Sequence, residues 1–205
     1  MPAVPSIKGR VLAAVVEDIE KLRSSGALRD EELGRWLRPD DVEFLRRPLQ
    51  PAEWYDVAMH ERLCLLLRDV EGGGRSAYLK ARGARAAERL LDAGLYAQFE
   101  FLNRMNSVKL TDPAQRAQAW GRDLKLLTTL SSSILSFSRW EVERDPDFPS
   151  RHRIEIREAA AFHDVLGWIT EGFINRMAAL HAGPDLFAFE RVARERVRYR
   201  MRRDF

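Results

Sequence analysis

Cysteine is nearly absent: Cys64, inside ERLCLLLRDV, is the single thiol in 205 residues. A disulfide framework within the chain is therefore impossible, and a cysteine-based zinc site lacks its ligands. A lone thiol among leucines reads as a small buried hydrophobe. No stretch approaches the roughly 18 uncharged apolar residues of a membrane span, and the start, MPAVPSIKGR, lacks the apolar region of a secretory leader. Together these absences predict a cytoplasmic chain without a membrane role. Lysine is scarce too, 5 residues against 29 arginines. A GC-rich coding sequence produces that skew by itself, and the net charge is only +3, so arginine number is weak support for a nucleic-acid partner.

The length suits one main domain with a small extension. The first helical pattern, IKGRVLAAVVEDIEKLRSSG, carries Val11, Leu12, Val15, Ile19 and Leu22 on one stripe, with Ser6 as its expected cap and Gly26 beyond its end. Short helices are expected in RDEELGRWL and PDDVEFLRR, after which Pro48 and Pro51 break the chain. We place a boundary there: residues 1–50 as an N-terminal helical extension, 51–205 as the main α+β ligand-binding or interaction domain.

The main part opens with helix-spaced Trp54, Val57, Ala58, Leu63, Leu66 and Leu67, closed by Gly72-Gly73-Gly74. These glycines read as a helix stop rather than a phosphate cradle, because no strand precedes them and no GK[ST] follows. The next helix, capped by Ser76, contains Gly83 and several alanines that permit close approach of another backbone. A further helix over 112–133 opens with Thr111-Asp112-Pro113 and carries Trp120, Leu124, Leu127 and Leu130. The period then changes to two. ILSFSRWEVERD, with a phase shift that suits a bulge, and RHRIEIREA make a hairpin around DPDFPS, followed by the apolar helix AAAFHDVLGWITEGFINRMAALHAG.

The last segment, RERVRYRMRRDF, permits a strand or a helix. Alternation of Phe187 and Phe189, and of Val197, Tyr199 and Met201, favours a final hairpin with Arg196, Arg198, Arg200 and Arg202 facing solvent. On that reading Arg200→Glu is nearly neutral for stability. The fold class expected is α+β, predominantly helical, with helices packed on a small antiparallel sheet built from hairpins.

This element order resembles the superfamily that includes 4-vinyl-reductase-type domains, heme–nitric-oxide-binding domains and TRAPP subunits. More narrowly, EWYDVAMHERLCLLLRDVEGGGRSAYLKARGARAAERLLDAGLY and AAAFHDVLGWITEGFINRM resemble a set of paralogous myxobacterial proteins. The resemblance spans roughly residues 50–205 and implies a ligand-sensing or protein-docking module, often dimeric. The cysteine cluster of the 4-vinyl-reductase type is missing, and the Tyr-x-Ser-x-Arg signature that grips heme propionates has no match, since Tyr199-Arg200-Met201-Arg202-Arg203 lacks the serine. No heme or metal ligand is therefore carried over, and no cofactor is expected.

Four histidines could support site chemistry. His60 faces Asp56 and Cys64 at helical spacing, a row that ordinary packing explains better than metal binding or thiol activation. His152 sits among arginines, and His181 lies near a helix C-terminus, where an imidazolium suits the dipole. His163, which begins the apolar helix, is the most informative. With Trp168, Glu171 and Asn175 it could supply the few polar groups of a ligand cavity, although a histidine at a helix start beside a core tryptophan is the plainer explanation. No nucleophile elbow, catalytic triad or carboxylate pair stands out. The expected function is a non-enzymatic regulatory or sensory module that binds a small apolar ligand or a partner protein and forms a homodimer. The alternatives are a structural adaptor docking through Trp54 and Tyr55 or the Arg-rich end, and nucleic-acid binding through Arg196, Arg198, Arg200 and Arg202 with Tyr199 stacking, which the balanced charge disfavours.

Overall fold

A computed structural model describes residues 4–93 and 113–204. Strand β1 (Ser6–Lys8) and strand β2 (Trp54–Asp56) pair antiparallel, Ile7 opposite Tyr55, and each runs directly into a helix, α1 (Gly9–Ser24) and α3 (Val57–Val70). Ser6 is thus a strand residue and not the expected helix cap. Its N–H donates to Ser136 Oγ, and Ile7, fully buried, bridges Leu135. Burial of Ile7 outweighs the capping tendency of Ser6, because a helix begun at Ile7 would withdraw that side chain from the core. Between these units lie a 3-10 turn over Asp30–Arg35 and the short α2 (Pro39–Phe44). Buried Asp41 accepts from the Arg38 N–H and pairs with Arg62 at 2.6 and 2.7 Å, so α2 is pinned to α3.

Helix α3 ends at Val70, and positive φ at Gly73 and Gly74 turns the chain into α4 (Ser76–Asp92), as expected of the glycine stop. Ser76 is the first helical residue and Arg75 occupies the cap position. Helix α5 (Pro113–Ser132) follows; Thr111 and Asp112, expected to open it, lie outside the described residues. Trp120 and Leu124 are buried, whereas Leu130 is exposed.

The two expected hairpins both form. Strands β3 (Arg139–Arg144) and β4 (His152–Arg157) make the first, and β5 (Phe187–Ala193) and β6 (Arg196–Met201) the second, in one antiparallel sheet of order β3-β4-β6-β5. The phase shift before Trp140 is a turn with φ 77° at Ser138 rather than a bulge, while a register shift occurs on β5 between Arg191 and Ala193. Ile154, Ile156, Val197, Tyr199 and Met201 face the core, and helix α6 (Asp164–Ala182) packs against β5 and Tyr199. The molecule is α+β.

Helices α4 and α6 cross in backbone contact. A Cβ at Gly83 would lie 1.8 Å from the Ile169 carbonyl oxygen, and one at Gly172 would lie 1.8 Å from the Lys80 carbonyl oxygen. Only glycine allows that approach, which accounts for both residues in helix interiors where they cost stability. On the far side, α6 is fixed to the sheet by polar bonds. The Asn175 amide both donates to the Phe187 carbonyl (3.0 Å) and accepts from the Phe187 N–H (2.7 Å), and the Tyr199 hydroxyl donates to the Gly167 carbonyl (3.0 Å).

The arginines of β6 do leave the core side, but they do not stand free in solvent. Arg196 and Arg198 each reach buried Glu155 at 3.0 Å. Arg200 clamps Asp145, whose side chain is 0% exposed, at 2.5 and 2.9 Å, and also contacts Asp147. Arg200→Glu is therefore not neutral, because it leaves Asp145 buried without its cation and adds a repelling charge. It is expected to cost about 3–5 kcal/mol in urea unfolding. Gly83→Ala is expected to lose about 1–3 kcal/mol or more, with a midpoint drop of about 2–4 °C per kcal/mol in thermal melts; an unchanged midpoint would rule out the crossing.

Candidate functional site

Helix α3 is capped by Asp56, whose carboxylate accepts from the Ala58 N–H at 2.9 Å, and α6 is capped by His163, whose Nδ1 accepts from the Leu166 N–H at 3.1 Å. Side-chain capping thus defines both helix starts. A cleft of about 320 Å³ opens where they meet, lined by Pro5, Asp56, Val57, Ala58, Glu61, Ala160, Ala161 and His163. Its walls are small and apolar, and its charged groups are two carboxylates.

The His163 side chain is only 10% exposed. Because Nδ1 is an acceptor, the neutral ring carries its proton on Nε2, which is buried and forms no hydrogen bond of good geometry, with the Val57 backbone as a weaker polar neighbour of the ring. Burial lowers its pKa to about 4 against an opposing interaction with the Val57 backbone. Its ring lies 5.6 Å from that of His60, a fully buried imidazole whose Nδ1 also has no partner and whose pKa burial lowers to about 3. His60 Nε2 is 3.5 Å from Cys64 Sγ. Burial pushes the Cys64 thiol up to about 12, so this pair holds no thiolate nucleophile at neutral pH.

The expected quartet is divided between two places. His163 lines the cleft. Glu171, buried, pairs with Lys80 at 2.7 Å, lies 3.6 Å from Arg202 and accepts from the Phe189 N–H, so together with Asn175 it docks α6 on β5 and α4. Trp168 is half-buried against the core. The cleft's lining includes none of these three. Of the remaining histidines, His152 is buried with its pKa lowered to about 4, chiefly by burial, and the His181 side chain lies outside the described residues. Of the adaptor residues, Trp54 is partly exposed beneath the Lys8 ammonium, 4.1 Å from the ring, and Tyr55 packs edge-on against Phe44.

The approach of His60 to His163 and the part played by Glu61 were missed in the sequence. One signal was readable. No Lys or Arg stands three or four residues from Glu61, so helix α3 offers it no ion-pair partner.

No family profile matches the chain, and no curated protein matches it in sequence. Among solved structures it is similar to an H-NOX protein from K. algicida, described as unliganded Fe(II) protein. An alanine-to-glycine mutant of that protein superposes with TM-score 0.59 at 10% identity, and the unmutated form with 0.54 at 8%, each comparison covering 95% of both chains. At such identity the likeness is one of fold. The cleft presents Asp56 and Glu61 and no Lys or Arg, so its lining does not fit a group that carries carboxylates of its own, such as a heme. Among the described residues no cluster of three His, Cys, Asp or Glu side chains is placed to hold a metal ion, and no described helix is long and apolar enough to cross a membrane.

The buried imidazoles set a pH dependence. Their folded pKa values lie below the unfolded value of about 6.5, so the unfolded chain binds more protons as pH falls, and stability is lost from about pH 6.5 downward. Each contributes at most about 1.4 kcal/mol per pH unit. Urea midpoints are expected to fall between about pH 6.5 and 4.5, with a shallower slope in His163→Asn, which keeps a capping side chain. A midpoint constant over that range would contradict neutral burial.

Proposed function

We propose that the protein is a non-enzymatic regulatory or sensory module that binds a small ligand at the cleft between the starts of α3 and α6. The observation that carries this reading is the junction itself: a concave apolar space flanked by a nine-tenths-buried imidazole and by a half-buried carboxylate. Likeness in fold to H-NOX proteins supports a ligand-sensing role. In this reading residues 51–205 form the ligand-binding domain and residues 1–50 the extension that braces it through β1. Of the proposed set, His163 acts at the ligand, while Trp168, Glu171 and Asn175 set the position of its helix. Kinship with the paralogous myxobacterial proteins and a cytoplasmic homodimer belong to the same proposal; sedimentation velocity is expected to give a dimer, and a monomer would contradict it.

The commitment of Arg196, Arg198 and Arg200 to Glu155 and Asp145 supports a structural use of these side chains over phosphate binding. The test of the main reading is native against denaturing mass spectrometry of freshly purified protein. A mass excess lost on denaturation, and missing from Ala161→Trp, in which the cleft is filled, is expected. An excess retained by Ala161→Trp, or bare protein throughout, would overturn it.

A further inference from the structure

Ion pairing in this protein follows a pattern with one exception. Among the described residues, the carboxylates that are not fully exposed have cationic partners: Asp18 with Arg82, Asp41 with Arg62, Asp145 with Arg200, Glu155 with Arg198, Glu171 with Lys80, and likewise the rest. Glu61 has none. Its neighbour Arg62 is turned away into the two-bond clamp on Asp41, and Arg191, near the same helix start, is held by Asp164 at 2.7 Å. Its nearest nitrogen partner is His163 Nδ1 at 3.9 Å, a neutral acceptor already engaged by the Leu166 N–H. Among the described residues Glu61 therefore has no bonded cation and no proton donor; Arg62 acts on it only through space. Asp56, the other acid of the cleft, commits one oxygen to its helix cap.

A half-buried carboxylate without a bonded cation is costly, and burial raises the Glu61 pKa although the charge of Arg62 pulls the other way. The same carboxylate opens onto a space walled by Pro5, Val57, Ala58, Ala160 and Ala161, which suits a short hydrocarbon and repels an anion. We propose that the ligand of this cleft is a small organic cation, an ammonium on a short apolar chain, with its charge on Glu61 and its chain along the alanines. The volume of about 320 Å³ is at the lower end of ligand sites, which favours a compact amine over a cofactor-sized molecule. This inference rests on the ligand-binding reading above and narrows it to one charge class.

Calorimetric titration with n-butylammonium chloride, sodium butyrate and 1-butanol tests it, because the three probes share a chain and differ in charge. Butylammonium is expected to bind at least about tenfold more tightly than butyrate, and Glu61→Gln to lose at least about tenfold of that affinity while leaving butanol binding unchanged. Among the described residues Glu61 makes no ion pair with Lys or Arg, and the wild-type comparison of the three probes needs no variant at all. Butyrate binding as tightly as butylammonium, or Glu61→Gln binding butylammonium unchanged, overturns the cation assignment and leaves the ligand site standing. No heat from butylammonium up to about 50 mM, beyond the millimolar range, also overturns it, and the mass excess then decides the broader reading separately.

Discussion

The close crossing of α4 and α6 is the constraint on which the arrangement depends. Gly83 and Gly172 bring two helix backbones into contact, so α6 can neither slide nor rotate without a backbone clash. Its other face is then held against β5 and β6 by Asn175, Glu171 and Tyr199. With both faces committed, the start of α6 has little freedom, and His163 is delivered to one place beside α3. The cleft follows from that placement, since two capped helix starts meet at a point where the adjoining residues are alanines too small to fill the space between them.

The outer face of the sheet shows why an arginine-rich ending need not be a nucleic-acid surface. In the register of the sheet, Arg198 of β6 stands opposite Glu155 of β4, and the Arg200 guanidinium reaches Asp145 just past the end of β3. Guanidinium groups span such separations with paired bonds, which a lysine could not do. The positive charge is largely used where it stands, and the acids it neutralises include two of the most buried among the described residues.

Much of the fold was legible in the sequence because period carries it. The change from a repeat near 3.6 to a repeat of two marked both hairpins, Phe187/Phe189 and Val197/Tyr199/Met201 identified the final one, and Gly83 announced a close helix contact without naming its partner. Strands β1 and β2 were not legible, since three residues each are too short to show alternation and Ser6 resembled a cap. The candidate site was legible only in part. His163 could be singled out as a polar residue opening an apolar helix, but Trp168, Glu171 and Asn175 were grouped with it by helical spacing alone, and Glu171 and Asn175 turn to the sheet instead. The contact with His60 and the isolation of Glu61 arise from residues a hundred positions apart, which no local pattern records.

The central claim is that ligand binding occurs at the junction of α3 and α6. Methyl NMR of protein labelled with 13C at alanine, with the small-molecule fraction of a cell extract added, tests its location directly. The account predicts selective shifts of the Ala58, Ala160 and Ala161 methyls. Shifts confined to alanines elsewhere, such as Ala87 in the core, or no shift at all, would contradict it.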